Sequence, residues 1–165
     1  MKTGFLGAAG RVLDALADFS MGVASVLMVA LIAIFGWLVF GRYVLNSTPT
    51  WVEQAALLIV VWIAFLGAAV GIRRGSHLAV DVVREGLPAP LRTACIVFAT
   101  LALLFFGAVM AWQGYVMFDR TVRREIPLLG ISEGLRAVPV SLGGVLIVLF
   151  CLDDLIRQFL KPQKD

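Results

Sequence analysis

An all-α membrane protein with four spans is the fold this sequence predicts, and three observations predict it. Hydrophobic residues make up 61% of the chain and charged residues 15%, with a mean hydropathy of +0.96. A soluble domain is about half apolar and about a quarter charged. The apolar excess falls in blocks long enough to cross a bilayer core, which takes roughly 20 apolar residues per helix. The charges collect at the ends of those blocks. The expectation is a single domain over residues 1–165 with spans at about 19–43, 53–72, 93–118 and 135–152. Both termini then lie on one side, with short interfacial amphipathic helices beside the spans.

The opening residues carry Lys2 but no unbroken apolar core, because Arg11, Asp14 and Asp18 interrupt it. Ala15-Leu16-Ala17 has the composition of a cleavage site, yet it precedes the strongest apolar run, so no cleavable signal peptide is expected. Val12, Leu16 and Phe19 recur at helical spacing among the charges, which reads as an amphipathic helix along the cytoplasmic surface. From Met21 to Phe40 there is no charge, and this is the first span.

A polar connection, Asn46 to Glu53, leads into the second span. Thr50-x-x-Glu53 has the spacing of a capping box, and Glu53 would also suit the positive end of the helix dipole. Topology places Arg42 across the hairpin as a partner for Glu53. Gly67, Gly71 and Gly75, at the end of this span and just beyond it, form a small-residue ridge that allows another helix to approach closely. Trp62 lies mid-span, as a packing residue. Residues 76–92 alternate Leu78 and Val82 with His77, Asp81 and Arg84 before Pro88 and Pro90, and read as a second interfacial helix. The third span follows, and the fourth begins with Pro139, tolerated in a first helical turn.

Flanking cations set the orientation. Lys2, Arg11, Arg73, Arg74, Arg84, Arg92, Arg157, Lys161 and Lys164 stand on one side, nine against the five of Arg42, Arg120, Arg123, Arg124 and Arg136 on the other. The first side is therefore expected to be cytoplasmic. Trp37, Tyr43, Trp51, Trp112 and Tyr115 fall near the predicted outer ends, as an aromatic belt does.

The chemistry is sparse. His77 is the sole histidine, and Cys95 and Cys151 both sit in apolar segments, so no catalytic, cofactor or metal set is expected. No basic stripe supports nucleic-acid binding. No span carries a charge at its centre, whereas a transporter acting alone needs midplane polar groups or broken helices. The chain reads as a helper rather than as an enzyme or a lone carrier.

Arg42-Tyr-Val, Trp51-Val-Glu53, the segment Val61 to Ala69 with Trp62 and Gly67, Arg73, and His77-Leu-Ala-Val-Asp81 resemble the small, DctQ-like subunit of tripartite ATP-independent periplasmic (TRAP) transporters. Ala137 to Gly143 resembles the same family's entry into its fourth span, and the similarity covers residues 20 to 155. The basic patch Arg120 to Arg124 departs from it. The resemblance implies a bacterial inner-membrane scaffold subunit bound to a large multi-span subunit that imports an organic acid with a sodium gradient. A periplasmic substrate-binding protein would dock on the outer connections, residues 44–52 and 119–134. Candidate interface residues, for these partners or for membrane lipids, are Arg42, Trp51, Glu53, Trp62, Gly67, Gly71, Arg73, His77, Asp81, Arg123 and Arg124. Two other readings compete. A membrane anchor of a respiratory complex would need paired axial histidines, and a small four-helix exporter would need a carboxylate inside a span.

Overall fold

The computed structural model describes residues 2–47, 49–74 and 89–160, and the side chains of all of these except 2–9, 89–93 and 157–160. The segment of the second expected interfacial helix lies mostly outside them, and so do Gly75, His77 and Asp81. Four helices dominate: α1 (Lys2–Tyr43), α2 (Trp51–Arg73), α3 (Ala89–Thr121) and α4 (Val138–Leu160). A 3-10 turn over Glu133–Arg136 leads into α4. Each helix contains a stretch long and apolar enough to cross a membrane: Gly10–Tyr43, Trp51–Arg73, Ala94–Thr121 and, counting the 3-10 turn, Glu133–Ile156. Four membrane-length helices are present, as expected, though their ends differ from the apolar blocks, by 17 residues at the start of α1.

The largest departure is at the start. Residues 11–20 are not a separate surface helix but the first part of α1, which runs unbroken for 42 residues. At 1.5 Å per residue that is about 63 Å, roughly twice a bilayer core. No glycine or proline separates Arg11 from Met21. Asp14 and Asp18, which suggested a surface segment, find cations on α2.

The helices form an open row in the order α1, α2, α4, α3: α1 packs on α2, α2 on α4 and α4 on α3. Small residues make the closest of these contacts. A methyl group on Gly114 would lie 2.6 Å from the Ser141 backbone nitrogen, and one on Gly144 2.5 Å from that of Ala111. The Ser141 hydroxyl donates to the Ala111 carbonyl at 3.2 Å. Apolar helices gain little hydrophobic drive from each other in lipid, so close backbone approach and dispersion must hold them. Pro139, fully buried, occupies the first turn of α4, where its missing N–H costs no helical bond.

The buried core sits toward the end that carries residue 17 of α1. Ala17, Ala69, Val70, Ile147, Phe150 and Cys151 form one cluster contributed by α1, α2 and α4. Toward its other end α1 is exposed almost continuously, at Val26, Val29, Ile32, Phe35, Trp37, Val39 and Phe40.

Candidate functional site

Polar side chains join the helices at both ends of the row. At the Asp14 end, α2 finishes on Arg73 and Arg74. Arg73 reaches α1 and α4 together: its Nη2 lies 2.8 Å from Asp14 Oδ1, and its Nη1 pairs with Asp153 Oδ2. Nη2 also donates to the Gly10 carbonyl at 3.4 Å, and the guanidinium carbon stands 5.7 Å from the Phe150 ring centroid. That ring position suits a cation–π contact. The side chains are only 13% and 5% exposed for Arg73 and Asp153, whereas Asp14 is open at 64%. Beside this cluster, Arg74 pairs with Asp18 at 3.0 Å in an exposed position. The four-residue spacing of Asp14 and Asp18 puts both carboxylates on one face of α1, against two adjacent arginines.

At the opposite end the contacts are hydrogen bonds rather than ion pairs. Arg136 Nη2 donates to Gln54 Oε1 at 2.6 Å, tying the entry of α4 to the first turn of α2. Arg136 Nε is buried without a partner among the described residues. Trp62 Nε1 donates to the Leu135 carbonyl at 3.2 Å. The loop before α4 is fastened to α3 by Ser132, whose hydroxyl donates to the Val122 carbonyl at 2.7 Å and accepts from the Gly134 N–H. Within this loop Ile126 is buried, and its N–H donates to the Ile131 carbonyl at 2.8 Å. At Gly134 a methyl group would be crowded, meeting Phe118 and Val122 at 3.1 Å.

These geometries sort the residues singled out from the sequence. Arg73 is central, and its partners Asp14 and Asp153 were not anticipated. Trp62 is half-buried and bonds to a distant carbonyl, that of Leu135. Arg42 and Glu53 are both exposed, and no ion pair joins them among the described residues. Next to Arg42, Gly41 is buried, and a methyl group there would meet the Ser47 carbonyl at 3.0 Å and Pro49 at 3.1 Å. The capping box does not form either. Thr50 has helical angles of φ −63 and ψ −21 and makes no side-chain cap, while the Val52 N–H bonds to the Pro49 carbonyl. A capping side chain needs an extended backbone at that residue.

The glycine ridge has no close partner within the described residues: nothing lies within 4 Å of a methyl group built on Gly67 or Gly71. The tight glycine contacts are instead those of Gly107, Gly114 and Gly144 between α3 and α4, and of Gly143 against Phe65. Trp51, Arg123 and Arg124 are exposed, as are Trp37, Tyr43, Trp112 and Tyr115. The described residues contain no cluster of three or more potential metal ligands.

A family model described as "Tripartite ATP-independent periplasmic transporters, DctQ component" matches residues 31–161. The chain is 29% identical over 131 residues to the sialic acid TRAP transporter small permease protein SiaQ of Vibrio cholerae, covering 79% of this chain and 76% of that one. It is 26% identical over 146 residues to a putative TRAP transporter small permease protein of Haemophilus influenzae, covering 86% and 90%. A third similarity, 27% over 116 residues, falls in the isethionate TRAP transporter permease protein DctMQ of Oleidesulfovibrio alaskensis, where it accounts for 68% of this chain but 18% of the relative. Together with four membrane-length helices joined at both ends and uncharged between them, these matches establish that the chain belongs to the DctQ family of TRAP transporter small permease subunits, a multi-pass membrane component of a transporter and not an enzyme.

Proposed function

We propose that this chain is the static scaffold of a TRAP-type secondary transporter in a bacterial inner membrane, with both termini cytoplasmic. Its partner is a large membrane subunit that holds the substrate and sodium sites and imports an organic acid. A periplasmic binding protein delivers the substrate to the outer connections, where exposed Arg123 supplies charge for steering an acidic rim. The observation that carries this reading is the position of the charges. Every span is uncharged between its ends, and the most buried charged side chain among the described residues, Asp153, is paired with Arg73 at the end of α2, which also pairs with Asp14 of α1. A carrier moving ions across the membrane needs ionisable or broken-helix sites at mid-depth.

Two further observations support the partnership. The DctMQ match fills less than a fifth of that permease, in keeping with a unit of this fold working beside a much larger membrane part. The open row also leaves apolar faces of α1 exposed and, among the described residues, nothing within 4 Å of a methyl group on Gly67 or Gly71, surfaces that lipid or a large subunit would cover. The excess of basic residues, nine against five, favours the cytoplasmic placement of the Asp14 end.

Reconstitution tests the reading. Proteoliposomes holding this chain alone are expected to show no sodium-dependent organic-acid uptake, and adding the large subunit and the binding protein should produce it. Uptake by this chain alone, or full uptake by the other two components without it, would refute the scaffold role.

A further inference from the structure

The exit of α3 forms an open cavity of about 290 Å³ lined by Gln113, Val116, Met117, Arg120, Thr121 and Arg124. Its chemistry is divided. Val116 and Met117 lie on the side of the membrane-length helix, while Arg120 and Arg124 stand where that helix ends and the loop begins. The Thr121 hydroxyl is already engaged, donating to the Met117 carbonyl at 2.7 Å, so the donors still available are the two guanidinium groups and the Gln113 amide.

Those arginines would be expected to pair with Asp119 and Glu125, their neighbours in sequence. They do not: among the described residues none of Arg120, Arg124, Asp119 and Glu125 takes part in an ion pair. One cation in the last turn compensates the helix dipole, a role Arg120 fills, and Arg124 lies beyond that turn. On the face of α3 that leads to the cavity, seven and four residues before Gln113, Phe106 and Val109 are exposed and apolar, and Met117 continues them. A ligand reaching the cavity along this surface must be apolar at one end and anionic at the other.

We propose that this cavity binds the phosphate-bearing headgroup of an anionic phospholipid. Arg120 and Arg124 pair with the phosphate, Gln113 donates to its ester or glycerol oxygens, and Val116 and Met117 meet the start of an acyl chain. Arginine suits this role because its planar fork offers paired donors to phosphate oxygens. Arg123 does not line the cavity, which leaves it available to the aqueous face. A lipid held here would brace the junction of α3 with the loop that Ser132 fastens to Val122.

The test is thermal unfolding of the full chain in a neutral detergent, with added phosphatidylglycerol, phosphatidylcholine or inorganic phosphate. A ligand that binds the folded state raises its melting temperature. Phosphatidylglycerol should raise it more than phosphatidylcholine does, and inorganic phosphate should not. The double variant R120Q/R124Q should lose more than about half of that difference, while R123Q keeps it, since exposed Arg→Gln changes alter folding little by themselves. Equal effects of the two lipids, or an unchanged response in R120Q/R124Q, would overturn the site. Protection by inorganic phosphate alone would replace the lipid with a soluble anion. Loss of binding-protein-dependent uptake in R120Q/R124Q with the lipid response intact would give the arginines to protein docking instead.

Discussion

The two ends of the helix row meet the same physical demand by different means. At one end, Arg73 is an ionic hub that gathers α1, α2 and α4 around a nearly buried carboxylate. At the other, α2, α3 and α4 are joined by hydrogen bonds from Arg136, Trp62 and Ser132, and α1 is exposed along most of the half that ends at Tyr43. Where apolar helices lie in lipid, polar contacts and close packing do the holding that hydrophobic burial does in water. An ion pair out of water is strong against loss of one member, because the survivor is then an unpaired charge. A hydrogen bond to a neutral partner loses less. The row is therefore most strongly tied at the Arg73 end and least tied along the half of α1 that ends at Tyr43.

The largest expected effect comes from breaking the hub. Asp153→Ala leaves Arg73 with the exposed Asp14 as its ion-pair partner, and removing one member of a buried pair costs about 3–5 kcal/mol. Unfolding in detergent should show that loss, with Asp14→Ala costing clearly less. Equal effects of the two substitutions would mean that burial does not separate the two carboxylates and that the hub is no more than a surface pair.

A middle effect is expected at the other end. Gln54→Leu deprives Arg136 of its acceptor where Nε already has no partner, and a hydrogen bond to a charged group contributes about 1.5–3 kcal/mol. Amide exchange should quicken around residues 133–140 and stay unchanged around residue 150. Uniform acceleration along α4 would show that the two ends are not independent.

The smallest effect belongs to Asp18→Asn. Its pair with Arg74 is exposed on both sides, and such pairs contribute about 0–1 kcal/mol. High salt should abolish whatever difference exists between wild type and variant. A loss as large as that of Asp153→Ala would extend the hub to all four charges.

Much of the fold was legible because its signal is local. A charge-free run such as Met21 to Phe40 is a span whatever surrounds it, and the placement of Pro139 in a first helical turn follows from its missing N–H. Local signals misled where the backbone had another option. Thr50 took helical angles, so the capping box had no geometry to form in, and Arg11 to Ser20 continued the helix, with Asp14 and Asp18, though exposed, each paired with an arginine of α2.

What the sequence by itself determined was the number of membrane-length helices, their uncharged interiors and the family they belong to, since each depends on residue types read in order. The tertiary structure alone decided which helices are neighbours. Arg73 lies 59 residues from Asp14 and 80 from Asp153, and no periodicity reports a contact at that range. Of the chain's glycines, only packing distinguishes Gly114 and Gly144, which are closed on by backbone, from Gly67 and Gly71, which face open space. A small side chain permits close approach, but the approach itself requires a second helix, and where that helix lies is set by the whole chain.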